Sequence, residues 1–411
     1  MSLHSIRLAF AAVLAAAIFS GCGGGHSASP PVGGLTVVPG DSQVTVSWNA
    51  ESGVDYWLFY APAPSITTSD WVNIPGSRVL VNVASPLVIT GLQNGTTYSF
   101  AMNGRVDRGP AGDGTPSVSA TPRLAGGIWT IGGTLGTGTV RGITYGSAAG
   151  ATTNTYVAVG SGGSIFRSDD GLAWTAIATT GTNDLNAVTF AVNKYVAVGA
   201  SGTILYSTDI ANWTAATSAT QKLNALANNA GIIVAVGDAG TILFSTDGVT
   251  WTPAATNPTT SNLHGVSFTP SGTWIAVGAG GTLLRSADAS NWTSVSSGTT
   301  ADLNAATMLV TTLNLVTTYT YLAVGDGGTV LTSSDGTTWT TRALGSTANL
   351  HAVQASGQFV AVGAGGSAFT SPDGTTWTSQ TTGTTATLFG LIKVPAQYIA
   401  VGQNGVSLYS R

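Results

Sequence analysis

Charge is what this sequence has least of. Asp, Glu, Lys and Arg together make up 7% of its 411 residues, against roughly 25% in soluble domains generally. There is one glutamate, Glu51, and there are three lysines, Lys194, Lys222 and Lys393. Long solvent-facing helices draw their outer faces from Glu, Lys and Arg, so this scarcity excludes a helical architecture beyond the N-terminus. The formal net charge is -4 and no Lys/Arg cluster occurs after residue 123. That removes the electrostatic footprint for nucleic acid and for an anionic membrane surface. Cysteine is nearly absent: Cys22 stands alone, so no internal disulfide can form. What the chain has instead is glycine, 55 residues of it, with Thr, Ser and Asn between strings of Val, Ile, Tyr and Trp. That balance suits short strands joined by tight polar turns, an all-β chain.

The first residues have the layout of an export signal: Arg7, an apolar run over 8–19, then Ser20-Gly21-Cys22. The run is too short to span a bilayer. Phe19-Ser20-Gly21-Cys22 resembles the lipobox of bacterial lipoproteins, with Phe where Leu is usual. The resemblance implies a signal peptide over 1–21, lipid attachment at Cys22, and an exported protein at the outer membrane or cell surface of a bacterium. Gly23, next to the cysteine, points the same way. Residues 22–32, Gly-rich and then Pro-rich, read as a flexible tether.

Residues 33–122 hold several alternating segments between turn residues, among them Q-V-T-V-S-W at 43–48 and the stretches 56–60, 87–90, 97–102 and 117–121. About seven short strands in such a length fit a sandwich. Val44-Thr45-Val46-Ser47-Trp48, Ile89-Thr90-Gly91-Leu92 with Asn94-Gly95-Thr96-Thr97-Tyr98, and Ser119-Ala120-Thr121-Pro122 together resemble a fibronectin type III domain. The resemblance implies Trp48 in the core, Tyr98 as a corner tyrosine, and a spacer role.

Residues 123–411 repeat. V-A-V-G or a close variant begins at Val157, Val196, Val234, Ile275, Leu322, Val360 and Ile399. The tryptophans that follow, Trp174, Trp213, Trp251, Trp292, Trp339 and Trp377, are 39, 38, 41, 47 and 38 residues apart. Each unit divides into four short apolar stretches, in the second unit 185–190, 195–198, 203–206 and 213–216. Four strands per unit is a propeller blade, which must stack in a ring because it cannot bury both faces alone. The seventh Trp is expected at Trp129, ahead of the first copy. A seven-bladed propeller whose outermost last strand comes from the N-terminal side follows, with the two ends joined in one sheet.

Between third and fourth strands runs S-x-D-G-x-x-W: Ser168 to Trp174, Ser245 to Trp251, Ser333 to Trp339 and Ser371 to Trp377, with the copies ending at Trp213 and Trp292 lacking the Gly. It resembles the Asp box of bacterial neuraminidase repeats, shortened by a residue, and the wider repeat is similar to photosystem II assembly factor propellers. Turn chemistry accounts for it: Asp accepts backbone N–H groups, Gly takes positive φ, and Trp fills the gap between blades. One carboxylate per turn is too few hard ligands for calcium. Asn212 and Asn291, in glycosylation-like triplets, are expected to cap their turns.

No catalytic set is found. A sialidase-like site needs an arginine triad, yet of Arg141, Arg167, Arg285, Arg342 and Arg411 only Arg141 has an inner-strand position, and no glutamate lies beyond residue 51. Asp184, Asp238, Asp302 and Asp326 are left as loop carboxylates for hydrolysis. No metal, cofactor or phosphate signature is present: the propeller histidines are 87 residues apart and no helix follows the Gly-rich turns. One pattern remains. After the leading apolar residue of each first strand stand Arg141, Asn186, Asn224, His264, Asn304, His351 and Phe389. Six of the seven hydrogen-bond, and first strands are innermost in propellers, so they should ring one channel mouth. The expectation is a non-catalytic, cell-surface binding or adhesion module taking a glycan or protein at that mouth. The alternatives are a carbohydrate-active hydrolase and a membrane-protein assembly factor, or that the Asn and His side chains satisfy neighbouring backbone and nothing more.

Overall fold

The computed structural model describes residues 28, 31, 34–147, 153–179, 181–216, 219–229, 231–313, 315–394 and 397–411. The expected leader over 1–21, Cys22, and all of the tether but two residues lie outside the described residues. The chain divides into two compact units, residues 1–124 and 125–411. Among the described residues there is no α-helix, and no helix is long and apolar enough to cross a membrane.

The first unit has strands β1 (Thr36–Gly40), β2 (Gln43–Ser47), β3 (Val54–Ala61), β4 (Arg78–Val83), β5 (Leu87–Thr90), β6 (Tyr98–Val106) and β7 (Val118–Ala120). They form two antiparallel sheets, β1-β2-β5 and β4-β3-β6-β7. Alternation decides which side faces in: Val44 and Val46 of β2 are fully buried, while Thr45 between them is not. They meet Tyr56, Leu58, Phe100 and Met102 in one core, where the Trp48 ring lies 5.7 Å from that of Tyr56. The Tyr98 hydroxyl accepts a hydrogen bond from the Gln93 amide, 3.2 Å away, so the tyrosine ties the turn before β6 to its own strand.

The second unit consists, among the described residues, of seven four-stranded antiparallel sheets. The second is typical: Leu185–Ala191, Lys194–Gly199, Ile204–Ser207 and Thr214–Ala215. Each fourth strand starts after the repeated Trp instead of on it. The seventh sheet takes Leu388–Val394, Gln397–Gly402 and Ser407–Ser410 from the end of the chain and β8 (Thr130–Ile131) from before the first sheet. Leu408 pairs with Ile131, and Tyr409 with Thr130. First strands pack side by side in sequence order, and the last, Leu388–Val394, packs against the first, Val140–Gly146.

Sheets that radiate in this way bury both faces, and the second strands show it. They read as unbroken apolar runs, with Val196, Ala197 and Val198 at 0% exposure and their counterparts in the other sheets at no more than 1%. Burial of each such Val, Leu or Ile stabilises the fold by about 1.5–3 kcal/mol. The Gly that ends each run is required for close approach: its φ is extended, but a Cβ at Gly199 would lie 1.9 Å from the Asp184 carbonyl oxygen. The tryptophans fill the seams. Trp174 packs with Ile399 and Val401, Trp251 with Val196 and Val198, Trp292 with Val234 and Val236, and Trp129 with Val360 and Val362, always second-strand residues of the preceding sheet.

Candidate functional site: the mouth of the central channel

The seven residues after the leading apolar position share a backbone irregularity. Leu185 pairs with Gly199 and Ala187 with Val198, so Asn186 between them has no opposite residue. The same skip falls at Asn224, His264, Asn304, His351 and Phe389. In the first sheet Val140 pairs with Gly160 and Gly142 with Val159, leaving Arg141 unopposed. A bulge turns its extra residue out of the ladder and re-aims the side chain. The next residue is Gly or Ala in every sheet (Gly142, Ala187, Ala225, Gly265, Ala305, Ala352, Gly390) because inner strands crowd there: a Cβ at Gly265 would be 2.4 Å from the Asn304 carbonyl oxygen.

All seven side chains come together. With Lys222 they line a mouth cavity of ≈ 210 Å³. They also border the channel below it, ≈ 510 Å³, whose wall continues through residues such as Val188, Leu226, Val353 and Leu391. Lys222 was not among the residues singled out from sequence. The signal available was its place directly before the leading Leu223, as one of three lysines in the chain.

The asparagines stitch neighbouring sheets together. Asn186 Nδ2 donates to the Leu223 carbonyl at 2.8 Å, Asn224 to Leu263 at 2.9 Å and Asn304 to Leu350 at 2.9 Å, in each case the leading residue of the next sheet. Asn224 and Asn304 also donate to Asp238 and Asp326, both at 2.8 Å. These three therefore do satisfy neighbouring backbone, the plain reading of the sequence pattern, and their amide oxygens are left as acceptors. Gln354, three residues beyond His351 on the same strand, makes a similar bridge to the Leu391 carbonyl at 3.3 Å.

The other ring members are less committed. Arg141 pairs with Asp184 at 3.5 Å, both partly exposed. Among the described residues the buried Nδ1 of His264 has no hydrogen-bond partner. The His351 ring lies 5.0 Å from that of Phe389, tilted by 35°. Burial pushes the His351 pKa below the ordinary histidine value, against an opposing pull from the Asp326 charge. The His351 and Phe389 rings, tilted against each other, make an aromatic sector on one side of the mouth, and Arg141 and Lys222 make a cationic one.

The loop carboxylates have structural partners. Asp184 and Asp302 accept the Gly162 and Gly280 amides at 2.8 Å. Asn262 and Asn349, at the equivalent positions, accept Ala239 and Gly327 at 2.9 Å. With Asp238 and Asp326 held by asparagines, the four candidates for hydrolysis are each engaged in joining one turn or strand to the next. Among the described residues no three His, Cys, Asp or Glu side chains gather where a metal ion could be held.

The S-x-D turns close on themselves. Asp247 Oδ1 accepts the Val249 and Thr250 amides at 2.7 Å and the Ser245 hydroxyl at 3.0 Å, while Ser245 Oγ accepts the Gly248 amide at 2.9 Å. The pattern recurs at Asp170, Asp209, Asp288, Asp335 and Asp373. Hydrogen bonds hold these carboxyls low, about 2 for Asp247 (chiefly the Thr250 amide), for Asp288 (the Asn291 side chain) and for Asp373 (the Thr375 hydroxyl). Where Gly is missing the backbone conformation persists: φ is +69° at Ile210 and +68° at Ala289, beside +74° at Gly248. Asn212 and Asn291 donate to Asp209 and Asp288 at 2.8 Å, capping those two turns.

Residues 223–408 match the family model described as "Photosynthesis system II assembly factor YCF48". Among solved structures, YCF48 from Cyanidioschyzon merolae is 17% identical, with a TM-score of 0.56 over 69% of this chain and 98% of that one. YCF48 bound to D1 peptide is also 17% identical, with a TM-score of 0.56 over 71% and 98%. Virginiamycin B lyase from Staphylococcus aureus is 12% identical, with a TM-score of 0.58 over 69% and 99%. No curated protein matches the chain. Over residues 223–408 the chain is similar to the assembly-factor family, and its likeness to the solved structures shows the fold, a β-propeller.

Proposed function

We propose that the chain is a non-catalytic binding protein that receives a polypeptide segment at the mouth of its channel. The observation that carries this reading is the run of seven bulges, which brings seven side chains of four kinds, Arg, Asn, His and Phe, to one opening. Identical residues would suffice for stitching, and the ring is not identical. A peptide offers what this mouth matches: amide donors for the Asn oxygens, carbonyl acceptors for Arg141 and Lys222, and apolar side chains for the His351–Phe389 sector. The similar structure of YCF48 bound to D1 peptide supports a polypeptide ligand over a glycan. In this reading residues 33–122 are a fibronectin type III spacer, residues 123–411 a seven-bladed propeller closed by β8, and the chain an exported lipoprotein held by Cys22. Holding a segment of another membrane protein during its assembly is one form such binding would take.

The test pairs two unbiased screens of the purified chain, a displayed random-peptide library and a glycan array. Selected peptides that no longer bind when His264 and His351 are both changed to Ala support the reading. Glycan hits with no peptide hits, or peptides indifferent to the double change, overturn it.

A further inference from the structure

The fifth sheet breaks the pattern of the other six. Its first strand, Leu303–Leu313, is 11 residues long, whereas the first strands elsewhere have six or seven. It pairs with Val316–Gly325 through to Leu313↔Val316. The third strand covers only Tyr321 to Val324, so residues 310–319 stand out from the propeller as a two-stranded ribbon. Every described residue of that stretch whose side chain is described is exposed, on both faces of the ribbon. This insertion is what lengthens the Trp292-to-Trp339 interval to 47 residues.

The ribbon lacks the features that protect a free strand edge. Residues 303–325 contain no charged residue and no proline, and no glycine before Gly325, and no bulge interrupts the ladder beyond Ala305. Lys, Pro and bulges are what usually blunt such edges. Leu315 is 98% exposed, Val316 64%, Tyr319 43% and Val310 37%. Leu315 also adopts φ +66°, a conformation that normally falls to Gly. Apolar exposure and backbone strain coincide at one side chain. Four threonine hydroxyls pair with each other, Thr311 with Thr318 at 2.6 Å and Thr312 with Thr317 at 3.1 Å, so covering the ribbon leaves none of these four without a partner.

We infer that this ribbon is a self-association element: the outer edge of residues 316–320 pairs with the same edge of a second copy of this chain, giving a four-stranded sheet across a two-fold axis. A lipid surface fits poorly, because burial in hydrocarbon leaves both open edges with unsatisfied N–H and C=O groups. A strongly charged partner has nothing to pair with. A second copy meets both requirements, since an antiparallel edge completes its own ladder and an uncharged edge opposes no like charges. Centred on Thr318, the pairing sets Thr318 against itself, 316 against 320 and 317 against 319. Five residues per edge bury much less than the roughly 1,200 Å² of a stable dimer, so the association is weak and concentration-dependent.

The experiment uses the full chain with Cys22→Ser, so that no acyl group drives association and no native thiol remains. Sedimentation velocity over a concentration series is expected to show a monomer–dimer equilibrium. Thr318→Lys, which places two ammonium groups face to face, is expected to weaken it by at least about tenfold with thermal stability unchanged. Thr318→Cys is expected to give a disulfide-linked dimer on mild oxidation, since directly opposed Cβ atoms fall within disulfide reach. A chain that stays monomeric throughout, a Thr318→Lys variant that dimerises as the parent does, or a monomer that pellets with phosphatidylcholine vesicles unless Leu315 is changed to Asp would each overturn the inference.

Discussion

The propeller carries two repeated polar features, and they differ in how they use their hydrogen bonds. At the S-x-D turns, six near-identical copies satisfy themselves within five or six residues. At the channel mouth the bonds run from one sheet to the next, and the participating residues change from copy to copy. Repetition of one residue type follows from one local backbone problem solved many times. Variation at a position that the backbone treats identically, here the bulge, marks a place where the fold tolerates a choice and function can make it.

The largest effect should come from neither feature but from the seam that holds both in place. Trp129, 7% exposed between the last two sheets, is followed by β8, which pairs with the last strand of the chain. Trp129→Ala is expected to cost about 3–5 kcal/mol, read as a lowered midpoint in chemical denaturation. A loss below about 1 kcal/mol would mean that this seam contributes little to the stability of the second unit.

Within the mouth, Asn304 and His264 should separate. Asn304→Ala leaves Asp326 and the Leu350 carbonyl without their shared donor and is expected to destabilise by about 1–3 kcal/mol. His264→Ala removes a side chain whose buried nitrogen has no partner, and its midpoint should change by less than about 0.5 kcal/mol. Equal losses in the two variants would erase the distinction between stitching and free ring members.

A smaller effect is expected at the turns. Asp247→Ala, which frees two amides at an exposed turn, should cost about 1 kcal/mol, as at helix N-caps. The pH dependence gives the same comparison another way. The Asp247, Asp288 and Asp373 carboxyls sit at about 2 against an ordinary 3.8, so the folded form binds protons less readily than the unfolded form. Their stabilisation is complete above about pH 4 and is lost as pH falls toward 2. Thermal melts across that window should show a declining midpoint, and a triple Asp→Asn variant should decline less steeply.

Much of the propeller was legible because its signals are periodic. The V-A-V-G runs reflect strands buried on both faces, and the Trp spacing reflects a seam filled once per sheet. Trp129 could be found by counting, because seven V-A-V-G copies are followed by only six tryptophans. The ring at 141, 186, 224, 264, 304, 351 and 389 was legible as a position, but not in its chemistry. Leu185-Asn186-Ala187 reads as continuous strand, and the skip that turns Asn186 outward exists only in register with Gly199 and Val198. The invariably small residue after each ring member was the available trace of it. The Asn-to-carbonyl bridges depend on which main chain lies opposite, information that resides in the ring and not in one repeat. The ribbon at 310–319 announced itself as a 47-residue interval, but exposure on both faces could not be read from Thr, Val, Leu and Tyr, which suit a half-buried strand equally well.

The measurement that most directly tests the central claim is the affinity of a library-selected peptide for three proteins: the parent, His264→Ala and Asp247→Ala. The account predicts a loss of at least about tenfold, some 1.4 kcal/mol, for His264→Ala and no change for Asp247→Ala. Peptide binding that survives His264→Ala but fails with Asp247→Ala would contradict it, placing recognition at the repeated turns and leaving the mouth as architecture alone.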